Sequence, residues 1–342
     1  MKKAGFLYLL LLTLAYSSCH KPIPATKAFY YWRSSFNLSP VESKLLDSLS
    51  VQKLYVKYFE LRKDSKDGLF PADIIAWKDT SGFTGEIVPV VFIPNQILIG
   101  LAADSMAPYA QKIYRQIELV HPAQAGPFKE IQIDCDWTDK TRAPYFSLLQ
   151  NLQAVCKAHG KIISATLRLH QVKYLAKTGV PPVNRAMLMF YNMGHFDTSA
   201  THNSILDLDK ADKYIARLKH YPLPVDVALP VFSWGVQMRD GKVIDLLHNF
   251  SAADAAQLPN FTPAAAGIWR CDSSRFYRSL YFKQGDILKT EQPRYEDIIA
   301  AENKLRNLLP FQQRTLILFD IDTSLTAKYN AQKIQSIYTG FN

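Results

Sequence analysis

A closed (β/α)₈ barrel with a β-rich insertion between its seventh and eighth strands is the fold this sequence predicts. Three observations lead there: eight apolar or alternating strand patterns, mostly helical connections between them, and a break in that rhythm from about residue 236 to 300. An open, doubly wound sheet is the alternative. It asks for a glycine-rich phosphate loop after the first strand, where Ser34-Ser35-Phe36 stands instead.

The first strand is expected over residues 28–36, and Ser39-Pro40 with Glu42 is a helix start for a segment ending near Leu49. Residues 53–61 form the second strand, with Leu54, Val56, Tyr58 and Glu60 on one face. After a Gly/Asp-rich turn at 64–68 and a short segment around 74–77 comes the third strand, 87–93, closed by Pro94. The spacing of Met106, Ala110, Ile113, Ile117 and Val120 then predicts a helix over 104–120.

The fourth strand, 131–137, is the most informative stretch. Alternation puts Gln132, Asp134 and Asp136 on one face and Ile131, Ile133, Cys135 and Trp137 on the other. The alpha carbons of the two aspartates would then lie roughly 6.5–7 Å apart, close enough for each charge to raise the pKa of the other. A helix follows over 143–159. The fifth strand, 162–170, sets Ser164, Thr166, Arg168 and His170 against Ile163, Ala165, Leu167 and Leu169, so its polar face meets a polar cavity or solvent. The sixth, 186–194, carries Tyr191 and Asn192 at its end; a helix over 210–219 and the seventh strand, 225–234, come next. Within the insertion, hairpins are expected at 236–244 around Asp240-Gly241 and at 278–288 near Gln284-Gly285. A helix over 302–309, an apolar strand over 314–321 ending in Asp320 and Asp322, and an amphipathic helix over 326–338 complete the chain.

The N-terminus reads as a processing signal. Met1-Lys2-Lys3 supplies the positive end, residues 6–15 an apolar run too short to span a bilayer, and Ser17-Ser18 the small residues before Cys19. The stretch Leu14-Ala15-Tyr16-Ser17-Ser18-Cys19 resembles a bacterial lipoprotein signal, which implies removal of residues 1–18 and lipidation of Cys19. Residues 19–27, with Pro22 and Pro24, are then a tether, and 28–342 a single barrel domain lipid-anchored in the cell envelope, on a periplasmic or surface face. The formal charge of +10, from 40 basic and 30 acidic residues, is spread along the chain, as scattered helix-surface lysines would be, and gives no basic run for nucleic acid. With Cys19 lipidated, Cys135, Cys156 and Cys271 remain, as one disulfide and a free thiol or as three buried thiols. No cysteine pair has metal-ligand spacing, nor does the set His170, His195, Asp134 and Asp136. No metal or cofactor is expected.

In a barrel, function belongs at the C-terminal strand ends. The residues placed there are Arg33, Glu60, Asp134, Asp136, Arg168, His170, Tyr191, Asn192, Trp234, Asp320 and Asp322. Asp134-Cys135-Asp136-Trp137-Thr138, Met189-Phe190-Tyr191-Asn192 and Ala228-Leu229-Pro230, in that order and followed by an insertion, resemble the chitinase-like glycoside hydrolases of family eighteen. The whole chain is also similar to bacterial lipoproteins that carry a glycoside-hydrolase-like barrel. The resemblance implies a carbohydrate ligand, with the family's proton donor at the residue after the tryptophan. That residue here is Thr138, whose hydroxyl is no general acid, and Asn192 stands where the family has an aspartate.

A glycosidase needs two carboxyl groups flanking the bond. Asp136 with Glu60 or Asp320, beside Asp134, is the arrangement the sequence offers. The same acids, with Arg168 and Arg33 as counter-ions, fit a purely stabilising cluster equally well. Trp32, Tyr191 and Trp234 are candidate faces for a sugar ring, and Arg33, Arg168, His170 and Asn192 candidate partners for its hydroxyls. Two readings follow: a lipid-anchored, glycoside-hydrolase-like protein acting on a carbohydrate, or a non-catalytic glycan-binding or scaffold lipoprotein.

Overall fold

The computed structural model describes residues 24–64, 68–194, 196–197, 202–277 and 280–341. The expected signal peptide, Cys19 and His195 lie outside the described residues, and so does the tether as far as residue 23. Its last two residues, Thr26 and Lys27, already belong to the first strand.

Eight parallel strands form the ring: β1 (Thr26–Tyr31), β2 (Lys53–Asp64), β3 (Glu86–Phe92), β4 (Glu130–Asp134), β5 (Ile162–Arg168), β6 (Arg185–Met189), β7 (Val225–Pro230) and β8 (Thr315–Phe319). Phe29 of β1 pairs with Leu318 of β8 on one side and with Leu54 of β2 on the other, which closes the barrel. Around it lie α1 (Pro40–Leu49), α2 (Ala107–Val120), α3 (Arg142–Ala158), α4 (Leu208–Ile215), α5 (Tyr295–Leu308) and α6 (Ala331–Thr339). The start of α1 is the expected one. Ser39 accepts from the Glu42 amide, Glu42 accepts from the Ser39 amide, and Pro40 occupies the first turn.

One helix of the regular pattern is replaced. Between β2 and β3 the chain turns back as Gly68–Ala72, antiparallel to the extended end of β2, and then as Ala76–Asp79, which pairs with Ser35–Asn37. The expected first strand, 28–36, is thereby split, because residues 35–37 leave the barrel to join this outer ribbon.

The polar face of β4 and β5 points into the barrel, not to solvent. Tyr30 donates to Gln132, Gln132 to Ser164, and Ser164 to Glu130, which also accepts from Tyr55 and pairs with Lys53. Ala28, Val88, Val90, Met187, Ala228 and Ile317 fill the interior between these groups. Every buried polar atom of that chain has a partner, as a low-dielectric interior requires. The opposite strand faces, such as Ile131, Ile133 and Leu167, pack under the helices.

The insertion is a five-stranded antiparallel sheet in the order Lys242–His248, Trp234–Arg239, Ile287–Glu291, Ile268–Cys271, Phe261–Ala265, with a core of its own including Phe250, Phe261, Phe282 and Leu288. Its first hairpin turns at Asp240 (φ 50°) and Gly241 (φ 73°), both left-handed, as a tight two-residue turn demands. The second expected hairpin is displaced. The paired strands are Arg275–Tyr277 and Leu280–Phe282, while Gly285 (φ 89°) only redirects the chain into Ile287–Glu291. Cys135, Cys156 and Cys271 are three buried thiols. No helix among the described residues is long and apolar enough to cross a membrane.

Glu302 on α5 is buried, 1 % exposed, against Gly340 beyond α6, and neither carboxyl oxygen has a hydrogen-bond partner among the described residues. Burial lifts this carboxyl from its ordinary 4.5 to about 7, with Arg306 opposing. The folded state therefore holds the proton more tightly than the unfolded one, and stability from this group, full below about 4.5, is lost as pH rises through about 7. Glu302→Gln removes the titration. Urea unfolding at pH 5 and pH 8 is expected to show the wild type losing on the order of 2–3 kcal/mol more than the variant over that interval. Equal losses in the two proteins would contradict the assignment.

Candidate active site

The C-terminal ends of the strands open into two cavities. The inner one, about 420 Å³, is lined by Trp32, Phe92, Asp134, Met189, Phe319 and Asp320, and the outer one, about 470 Å³, by Asp136, His170, Phe196, Ser204 and Leu246. Arg168, Tyr191, Asn192 and Trp234 line both, so the two are one cleft. The insertion contributes Trp234, Leu246, His248 and Asn249 to its wall.

Asp134 ends β4 and points inward. Its Oδ1 accepts from Thr166 Oγ1 at 2.7 Å, and its neighbour in the ladder is Phe92. Burial raises its carboxyl to about 6; Asp136 adds to the rise, and Arg168 and the Thr166 hydroxyl oppose it. Asp136 lies beyond the strand, so the alternation that put both acids on one face stops short of it. It is an exposed residue in the outer cavity, and accepts from Arg168 Nε at 2.6 Å. Burial works against the charge of Arg168, but Asp136, Tyr191 and Asp134 outweigh it and push the guanidinium up. The same guanidinium stands 5.9 Å from the centre of the Tyr191 ring. Tyr191 is 4 % exposed, and its hydroxyl has no hydrogen-bond partner among the described residues.

His170 is not at the end of β5. The strand stops at Arg168, and His170 lies in the short helix Leu169–Lys173, from which it lines the outer cavity; burial lowers its pKa, with Asp136 opposing. Asn192 follows β6 rather than belonging to it, has a left-handed backbone (φ 56°), and is held by its amide to the Ile205 carbonyl at 2.8 Å. Trp234 opens the insertion sheet rather than ending β7; its Nε1 donates to Glu291 Oε2 at 2.9 Å, and Phe196 packs on its ring at 5.5 Å.

Arg33 lines the inner cavity, but its guanidinium donates to Glu42 and to the Ile321 carbonyl, tying α1 to the end of β8. Glu60 lines neither cavity. It accepts from Arg62 Nε at 2.9 Å beside the Gly68–Ala72 ribbon, which occupies its side of the strand. Thr138 is exposed outside the cleft, and its amide is bonded to Thr141 Oγ1 at 3.0 Å. Asp320 directly follows β8 and is 8 % exposed. Burial and Asp322 push its carboxyl up to about 7, while Arg33 and Lys328 pull the other way. No other residue among those described hydrogen-bonds to it.

Sequence reasoning missed the aromatic floor. Phe319 sits within 5.3–6.0 Å, centre to centre, of Tyr30, Trp32, Tyr191 and Phe232. At the end of an apolar strand it reads as core, and nothing local distinguishes it. His248 and Asn249 were equally hidden inside the insertion. Among the described residues no group of three His, Cys, Asp or Glu side chains is placed to hold a metal ion.

No protein-family profile and no curated protein matches the sequence. Solved structures do. The spore cortex-lytic enzyme SleL of Bacillus cereus superposes with a TM-score of 0.57 at 12% identity, over 94% of this chain and 75% of that one. The C-terminal domain of a putative chitinase from Desulfitobacterium hafniense DCB-2 gives 0.58 at 10% identity, over 94% of this chain and 100% of that one. The Group IV chitinase of Ostrinia furnacalis in complex with allosamidin gives 0.51 at 10% identity, over 93% and 100%. This chain therefore has the barrel fold of the chitinases and of SleL, with the insertion between its last two strands.

Proposed function

We propose that this protein is a lipid-anchored envelope protein whose barrel mouth binds a glycan of the chitin type. The observation that carries the reading is the composition of the cleft: ring faces of Trp32, Tyr191 and Phe319 beside Asp134, Asp136, Arg168 and Asn192, in a space of sugar-ring dimensions. The unpartnered Tyr191 hydroxyl, buried at the junction of both cavities, supports it further, because a buried donor is completed by a ligand oxygen. The names of the structural relatives, chitinases among them, supply the class of glycan. Chemistry through the residue after Trp137 is not part of the proposal, since Thr138 carries no acid and lines neither cavity.

Calorimetric titration with chitin oligosaccharides tests the binding, on a Cys19→Ser protein that is expected to move from the membrane fraction to the soluble one. Trp32→Ala in that background is expected to weaken the affinity about 10–30-fold, the loss of one aromatic platform. Absence of binding in the parent protein would sink the glycan reading, and a Cys19→Ser protein still in the membrane fraction would sink the anchor.

A further inference from the structure

The inner cavity is lined by two buried carboxyl groups that come from opposite sides of the barrel. Asp134 is at the end of β4 and Asp320 immediately after β8, and in the closed ring these strands are four apart in either direction, hence opposite. Both line the same cavity, and each is less than a tenth exposed. Asp136, by contrast, is outside this inner space, with Arg168 on its carboxylate. The usual acid of the resembled motif is missing, but the cavity is not without a proton donor.

We propose that Asp320 and Asp134 form a general acid and general base pair that hydrolyses a glycosidic bond held across the inner cavity, with inversion at the anomeric carbon. This rests on the glycan reading above. The Asp320 proton passes to the glycosidic oxygen as its bond to the anomeric carbon breaks. On the opposite face the Asp134 carboxylate takes a proton from a water molecule whose oxygen bonds to that carbon. One water is consumed, two sugar ends are produced, and exchange with solvent returns the proton to Asp320. Carboxyl groups on opposite sides of the bond, with room for water, are the arrangement that inversion requires.

The surroundings give each acid the matching state. Asp134 faces Arg168, Asp136, Tyr30, Tyr191 and the Thr166 hydroxyl, and loses its proton at about 6. Asp320 faces Asp322, Arg33, Lys328 and Tyr191, and keeps its proton to about 7. The productive combination, ionised Asp134 with protonated Asp320, is most populated between those values, so the rate against pH is expected to be bell-shaped with its maximum there.

The test is turnover of chitotetraose by the Cys19→Ser protein, followed by reducing-end release and by proton resonance of the new anomeric centre. Asp320→Asn is expected to lower kcat about 10²–10⁴-fold with KM unchanged. It should largely keep activity on a 4-nitrophenyl chitobioside, whose leaving group needs no proton. Asp134→Asn should lose activity on both, and retained oligosaccharide binding shows that each variant is folded. Wild-type turnover in Asp320→Asn, or retention of configuration, would overturn the pair. Binding by the parent protein without turnover between pH 5 and 8 overturns the pair while leaving the glycan reading standing; no binding removes the reading itself.

Discussion

Trp137→Ala is expected to cost about 4–5 kcal/mol of folding stability, measured by urea unfolding. The indole is fully buried, stacks on Tyr145 with ring centres 5.2 Å apart and meets Phe146 edge-on at 5.9 Å. Its Nε1 donates to the Thr178 carbonyl at 2.9 Å, and its own carbonyl accepts from Gln171 at 3.0 Å. Truncation opens a cavity under α3 and leaves a buried carbonyl without its donor, two losses that add. Trp137→Phe separates them, since it keeps most of the volume and loses only the donor, and should cost about 1–3 kcal/mol. The consequence reaches function. Trp137 anchors the segment that carries Asp136 out of β4, so a measured cost below 2 kcal/mol would mean that this anchor does not hold the cleft wall.

Asp226→Ala is expected to destabilise the barrel by about 3–5 kcal/mol. Asp226 opens the N-terminal half of β7 and is 1 % exposed. It accepts a bidentate pair from Arg185 of β6, Nε at 2.7 Å and Nη2 at 2.6 Å, and also the Thr315 amide of β8 at 2.6 Å. One carboxylate thus joins three adjacent strands at the face opposite the cleft. Its removal leaves a buried amide unpaired and the partly exposed Arg185 guanidinium with the Gln313 carbonyl as its remaining partner among the described residues, which costs more than the pair itself contributes. Because the site is remote from the mouth, the proposed glycan binding of the folded fraction should be unchanged. A lowered affinity at unchanged stability would show that this floor and the mouth are coupled, contrary to expectation.

Much of this molecule was legible along the chain. Ser39, Pro40 and Glu42 announce α1 because a capping box is a local arrangement, complete within four residues. Asp240-Gly241 announces its hairpin for the same reason. The alternation in residues 131–134 and 162–168 places side chains correctly for as long as the strands last. It misplaces Asp136 and His170 because no local signal marks where a ladder stops pairing, and both lie just past that point. Glu60 was misjudged differently. Its strand continues beyond the barrel and pairs with Gly68–Ala72, a partner found only on folding.

The sequence by itself determined the fold class, the insertion and its position, and the presence of acids at the ends of the fourth and eighth strands. These follow from periodicity and turn chemistry, which act between residues close in the chain. Tertiary structure alone decided which acids share a cavity. Asp134 and Asp320 are 186 positions apart, and only closure of β8 onto β1 brings them to one cavity. It also decided that Phe319 is floor and not core, that Arg33 is committed to Glu42, and that Asp136 is committed to Arg168. Burial and the charges facing a group set its protonation, and neither can be read from its neighbours in sequence.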